Sequence, residues 1–330
     1  MRFDDRKIVA HVVCAISVLA FNSAANAQSV TLRFAYTTQP DGPGGKAVQR
    51  MVDAVTAATQ ANVAFRVFPN GQLGGDVELT TAIRTGNVDV ALVGTGAAST
   101  AVAPKLGVTS LPFIWKSRSA FWQVVRGPIG DELLRDLDTK GIKGLAWGNF
   151  GERGIITNGF EIQTLKDLAG RKIRVTQSQI YLKTMQAVGA SPVPLPYAEV
   201  YTALQQRAVD GVDTSIWAMV EAKFYEVASS AAITNHQIDS ALFLMNQKAF
   251  DSLKPEYQKA MIEGARAGGQ VMFDEISKAT DSAVDVMSKK GLKITRPDPA
   301  EFEKAVNPVY AFFAEQIGQQ LIDQIKAAQK

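Results

Sequence analysis

The stretch Gly170–Gln177 (GRKIRVTQ) alternates so that Ile173 and Val175 share one face of a short strand while Lys172, Arg174 and Thr176 share the other. A guanidinium fixed on a strand has one chemical talent: its planar fork meets a carboxylate through two parallel, charge-assisted bonds. Taken alone, the same pattern also describes an arginine facing water. Other reactive groups are scarce. The 330 residues hold one cysteine, Cys14, and two histidines, His11 and His236. No Gly-x-Ser-x-Gly elbow is present to serve a triad built on His236. The run Asp41–Ala47 (DGPGGKA) lacks the Ser or Thr that a phosphate loop needs after its lysine. In Val93-Gly94-Thr95-Gly96 the third glycine of a dinucleotide fingerprint is replaced by Ser99, which reads as a tight turn at a strand end. No spacing marks a pair of carboxylates for acid–base work. Catalysis is therefore disfavoured, and no cofactor or metal is expected.

The N-terminus explains part of this inventory. Arg2, Arg6 and Lys7 precede an apolar run from Ile8 to Phe21, and Ser23–Ala27 ends in an Ala-x-Ala pattern. That order predicts a secretory signal over residues 1–27, cut after Ala27, with the run too short to span a bilayer. Removal takes Cys14 and His11 with it. The remaining chain must rely on its core rather than on disulfides. Net charge falls from +3 to +2, because the segment carries three basic and two acidic side chains. Near-neutrality gives no reason to expect nucleic acid or a membrane surface as partner.

The elements that must position Arg174 follow from periodicity. Thr31–Tyr36 alternates as a strand, residues 45–59 repeat apolar side chains at helical spacing, and Val63–Phe68 is a second strand. A helix over 75–85 stops at Gly86, and Val88–Val93 is a buried strand. The β-α-β-α-β order of an open α/β sheet results. The pattern recurs later, with strands at 144–147, 154–157 and 172–175, an extended segment at 192–195 and helices at 180–188 and 198–207. One uninterrupted helix is expected from Pro255 to Lys290, some 50 Å long at about 1.5 Å per residue. A final helix is expected from Val309 onward.

At this level the chain resembles the solute-binding subunits of TRAP transporters, the DctP type, over nearly all of its length after the signal. The carriers are Phe68–Gly74 (FPNGQLG) with Gly86–Asp89 (GNVD), and Leu165–Val175 (LKDLAGRKIRV). Pro196–Leu204 (PYAEVYTAL), Val209–Gly211 (VDG), Lys223–Val227 (KFYEV) and Thr234–His236 (TNH) follow in order. The resemblance implies a bilobal, periplasmic-binding-protein-like α/β fold. Two α/β lobes are joined by crossing strands, with the long helix spanning both. On this basis the first lobe is expected over 28–149 plus 238–280 and the second over 150–237 plus 281–330. A small organic acid would be captured in the cleft, in the periplasm, and passed to the small and large membrane subunits of a TRAP permease. Arg174 is implied as the carboxylate anchor, Arg153 as a second basic contact, and Tyr197 as an aromatic packed on ligand.

Other cleft positions depart from the sialic-acid-binding members. Gly94 stands in place of a glutamate and Ala97 in place of an arginine. Thr214 and Ser215 replace Asn-Pro, with Trp217 two residues on, and Tyr36-Thr37 ends the first strand where those members have an asparagine. Fewer polar groups beside Tyr36, Tyr197 and Trp217 suggest an acid with a modest apolar body, an aryl or branched 2-oxo acid. A four-carbon dicarboxylate using both arginines is the competing choice. Gln177 and Asp76 either hydrogen-bond the ligand or fix a loop, and His236 is expected to be structural. A ligand sensor for a receptor, or an exported lyase or isomerase, are the other functions weighed.

Overall fold

The computed structural model describes residues 29–329, so the expected signal over 1–27 lies outside the described residues. Ten strands organise the described residues: β1 (Val30–Tyr36), β2 (Val63–Phe68), β3 (Val90–Gly94), β4 (Ile142–Thr157), β5 (Lys172–Val175), β6 (Ser191–Pro194), β7 (Gly211–Ser215), β8 (Ser230–Ala232), β9 (Ile238–Asn246) and β10 (Lys293–Thr295). In the first lobe β1 lies parallel between β2 and β3, while β9 runs antiparallel to both β3 and β4. In the second lobe β5 lies parallel between β6 and β7, β4 pairs antiparallel with β7 and β8, and β10 is parallel to β8.

The separate strands expected at 144–147 and 154–157 are one 16-residue strand, β4. It belongs to both sheets, pairing with β9 up to Glu152 and with β7 from Arg153. Its pairing with β9 shifts register at Gly144/Ala146 and Asn149/Gly151, irregularities of the kind that bend and twist a strand. Gly151 adopts φ +81°, a left-handed conformation that a side chain would strain. Almost every residue of β4 is buried on both faces, so no alternation marks its length.

The expected long helix is present as Pro255–Lys289. Met261, Ala265, Met272 and Ile276 pack with Phe34, Val55 and Phe243 of the first lobe, and Ala283 and Met287 with Ile156 and Met219 of the second. Its glycines permit unusual proximity. A Cβ at Gly268 would lie 2.6 Å from the Ala47 carbonyl oxygen, and one at Gly269 would lie 2.1 Å from that of Trp147. Small residues there let the helix press directly onto the backbone of helix Pro43–Ala58 and of β4.

Two expectations need correction. The tight turn expected after Val93 is the start of a helix, Thr95–Ala101. The terminal helix is two, Asn307–Ile317 and Gln319–Ala328, divided at Gly318 with φ +94°. The end of the chain, expected with the second lobe, also ties to the first. Tyr310 donates to the Pro112 carbonyl, and the Gln329 side chain bonds the backbone of Ile114 and Lys116. Among the described residues no helix is long and apolar enough to cross a membrane.

Candidate functional site

Between the lobes lies a cavity of about 80 Å³. The first lobe contributes Thr37, Thr38, Asp76 and Gly94 to its wall, and the second contributes Arg174, Gln177, Tyr197, Thr214 and Trp217. The lobes touch around it. Thr100 donates its hydroxyl to Ser178, and Gly96 lies so near Tyr181 that a Cβ there would meet the ring at 2.5 Å.

Arg174 reaches the cavity because β5 sends Ile173 and Val175 into the core and turns the intervening residue the other way. Its guanidinium is not in water: the residue is only 2% exposed. Nε and Nη2 donate to the Leu195 carbonyl at 3.1 and 2.7 Å, and no carboxylate among the described residues pairs with it. Burial, with the neighbouring Arg153 charge, lowers its pKa to about 10. Here is a desolvated cation with donor capacity to spare.

Arg153 is equally buried but already neutralised. It grips Asp213 through Nε and Nη2 at 3.0 and 2.9 Å, Asp239 through Nη1 at 2.6 Å, and lies over the Tyr181 ring. Burial opposes its charge, yet the two carboxylates hold its pKa above the ordinary value. Burial also works against ionised Asp213, but Arg153 and His236 keep that carboxyl well below the usual range. Asp239 is pushed up, by burial against the pull of Arg153. His236 points Nε2 at Asp213 Oδ1, 3.3 Å away, and its Nδ1 lies 2.6 Å from the Thr234 hydroxyl, which gives it a structural position.

Asp76 faces the cavity from the N-terminus of helix Asp76–Thr85. Its Oδ1 accepts from the Thr37 hydroxyl at 3.0 Å and its Oδ2 from the Gly94 N–H at 2.8 Å. Burial raises its pKa to about 6. The missing side chain at Gly94 is what admits it, since a Cβ there would sit 3.0 Å from Oδ2. Trp217 lines the cavity with its indole N–H spent on the Phe150 carbonyl at 2.6 Å. Tyr197 keeps its hydroxyl buried, and burial with nearby Glu221 raises its pKa.

Of the residues singled out from the sequence, Arg174, Arg153, Thr37, Gly94, Gln177, Tyr197, Thr214 and Trp217 meet at this cavity. Tyr36 does not line it. It shares a face of β1 with Leu32 and Phe34 and packs in the first-lobe core. Sequence reasoning passed over Thr38, Phe150, Tyr181, Asp213 and Asp239. The two aspartates carried a signal: each is a lone acid inside an otherwise uncharged, fully buried strand, β7 and β9.

An interlobe cavity with a buried, unpaired cation, in two α/β lobes sharing one long strand, defines a bilobal binding protein. The chain belongs to the bacterial extracellular solute-binding protein family 7, DctP, whose model matches residues 34–316. It is similar to the C4-dicarboxylate-binding periplasmic protein DctP of Rhodobacter capsulatus, 30% identical over 98% of each chain. Among solved structures it resembles a TRAP periplasmic solute-binding protein from Xanthobacter autotrophicus with bound β-D-galacturonate. There the TM-score is 0.86 and the identity 32%, over 90% of this chain and all of that one. Another, from Polaromonas and bound to D-erythronate, has a TM-score of 0.88 and 27% identity, over 91% and 99%. Members of this family are solute-binding components of TRAP transport that act with membrane subunits, not enzymes, which removes the lyase and isomerase readings.

Proposed function

We propose that the protein captures a small organic monocarboxylate in the periplasm, anchors it on Arg174, and delivers it to the two membrane subunits of a TRAP permease. The observation that carries this is the Arg174 guanidinium, buried at the wall of the interlobe cavity with no carboxylate partner among the described residues. An anion entering there supplies the missing charge. The periplasmic location of the relatives named above and the signal pattern of residues 1–27 support export.

The cavity wall favours a short body. At roughly 10–15 Å³ per water-sized centre, the space suits about five to eight such groups. Phe150, Trp217 and Leu195 offer an apolar flank, while Thr37, Thr214 and Gln177 offer hydroxyl and amide partners. Of the bodies expected from sequence, a branched 2-oxo acid fits this better than an aryl one. Sugar acids, bound by the structural relatives, are the second reading. Ligand adds stability by mass action. A thermal-shift panel should therefore show stabilisation by 3-methyl-2-oxobutanoate and related short acids. Stabilisation confined to D-galacturonate and D-erythronate would remove the branched-acid assignment, and no response to any carboxylate would remove anion capture itself.

A further inference from the structure

We infer that the cleft takes up its anion together with a proton, and that Asp76 is the group that receives it. This rests on the anchoring role given to Arg174 above. The geometry around the cavity sets the charge balance. Asp76 and Asp239 line the cavity with Arg153 and Arg174, and a third carboxylate, Asp213, is bonded to Arg153. Arg153 is engaged by Asp213 and Asp239 together. Only Arg174 remains, and it stands across the cavity from Asp76. An entering carboxylate makes two anions facing one cation, among side chains that are themselves buried. Two carboxylates sharing such a site do not both stay ionised at neutral pH, and one is driven to hold a proton.

Asp76 is the member least able to keep its charge. Asp213 holds a bidentate guanidinium and faces His236, and Asp239 has both the Arg153 guanidinium and the Tyr181 hydroxyl. Asp76 has one hydroxyl and one backbone N–H, with the N-terminus of its own short helix behind it. Asp239 repels its charge and Arg174 favours it, while Glu78 follows two residues along the same helix. Burial by the protein alone brings its pKa to about 6. Gly94 N–H is a fixed donor to Oδ2, whereas the Thr37 hydroxyl bonded to Oδ1 can rotate, so the proton belongs on Oδ1. A neutral Asp76 then offers an O–H to an oxygen of the ligand. A dicarboxylate would bring one negative charge too many, so the same device selects monocarboxylates.

At pH 7 an acid titrating near 6 is about one-tenth protonated, so binding takes up close to one proton, and the apparent Kd weakens by up to about tenfold per pH unit above 6. Calorimetry at pH 7 with 3-methyl-2-oxobutanoate and D-erythronate, in phosphate and in Tris, reads the proton count from the dependence of heat on buffer ionisation. About one proton taken up by the native protein, falling toward zero in Asp76→Asn, supports the inference. Binding without buffer dependence overturns it, as does uptake that persists in Asp76→Asn and vanishes in His236→Gln. Should Asp76→Asn bind neither acid, carboxyl ¹³C titration of the native protein decides: the Asp76 midpoint must rise above 7 when the acid is added, and a fixed midpoint overturns the inference. Failure of the native protein to bind either acid overturns the Arg174 reading, and this one with it.

Discussion

Replacing Arg174 with methionine separates two quantities that most cleft substitutions change together. The guanidinium is buried without a carboxylate partner among the described residues, and its pKa falls from the usual guanidinium range to about 10. A folded-state pKa below the unfolded one means that burying the charge weakens the fold at every pH below about 10. At 1.36 kcal/mol for each tenfold step the cost is about 3 kcal/mol. Methionine removes it. Against that, the Leu195 carbonyl loses its donors, which costs about 1–3 kcal/mol if no water replaces them. The expected net change in stability is near zero, a Tm within a few degrees of native. Binding behaves differently, because the ligand carboxylate would enter a desolvated site with nothing to meet it. Truncating one partner of such a pair costs about 2–5 kcal/mol, a loss of about 30-fold to several-thousand-fold in affinity. Scanning calorimetry with a titration of 3-methyl-2-oxobutanoate or D-erythronate reads both. Affinity within threefold of native, or a loss of more than about 3 kcal/mol in stability, would refute the assignment of Arg174 as an unpaired anchor.

The neighbouring network predicts the opposite balance. Asp213→Asn leaves buried Arg153 with Asp239 alone, and should cost about 3–5 kcal/mol in urea unfolding, whereas a change below about 1 kcal/mol would show the pair to be dispensable. The same carboxyl, held below its usual range, contributes stability that is fully present above about pH 4 and is lost as pH falls through its lower folded value. Native protein should therefore lose more stability on acidification below pH 4 than Asp213→Asn does. Gly96→Ala pushes a methyl into the Tyr181 ring across the cleft. It should weaken ligand binding and enlarge the radius of gyration of the liganded form, with little change in Tm; an unaltered affinity and radius would show that the lobes close elsewhere.

Much of the first lobe was legible because its signals are local. β2 spans the residues expected of it, Val63–Phe68, and Gly86 ends its helix in the left-handed region as the pattern required. β4 was not legible as one strand. It is buried on both faces, so periodicity vanishes, and polar Asn149, Glu152 and Arg153 interrupt it where it changes sheets. The site divides the same way. Alternation turns Arg174 away from the core, but only the opposing lobe makes that direction an interlobe cavity instead of an open surface. Arg153 finds its partners 60 and 86 residues further on, at a separation that no local pattern reports. Tyr36 was misplaced toward the ligand because an aromatic at a strand end reads alike whether it faces a cleft or a core.

The two arginines show why residue type alone does not assign a role. Both are 2% exposed and both border one cavity, and the family resemblance offered both to the ligand. What distinguishes them is where their counter-charges lie. Those of Arg153 are built in, on β7 and on the start of β9, beside the point where β4 leaves the first sheet for the second. A cation neutralised across those strands fixes how the two sheets meet whether or not the cleft is filled. Arg174 hydrogen-bonds only the Leu195 carbonyl among the described residues, so on the proposed role its direct counter-charge comes with the ligand. Arg153→Met should accordingly unfold the protein more readily than Arg174→Met, because it strands two buried carboxylates where the other substitution strands one carbonyl oxygen. Equal unfolding midpoints for the two variants would mean that the division between a structural and a capturing arginine does not hold.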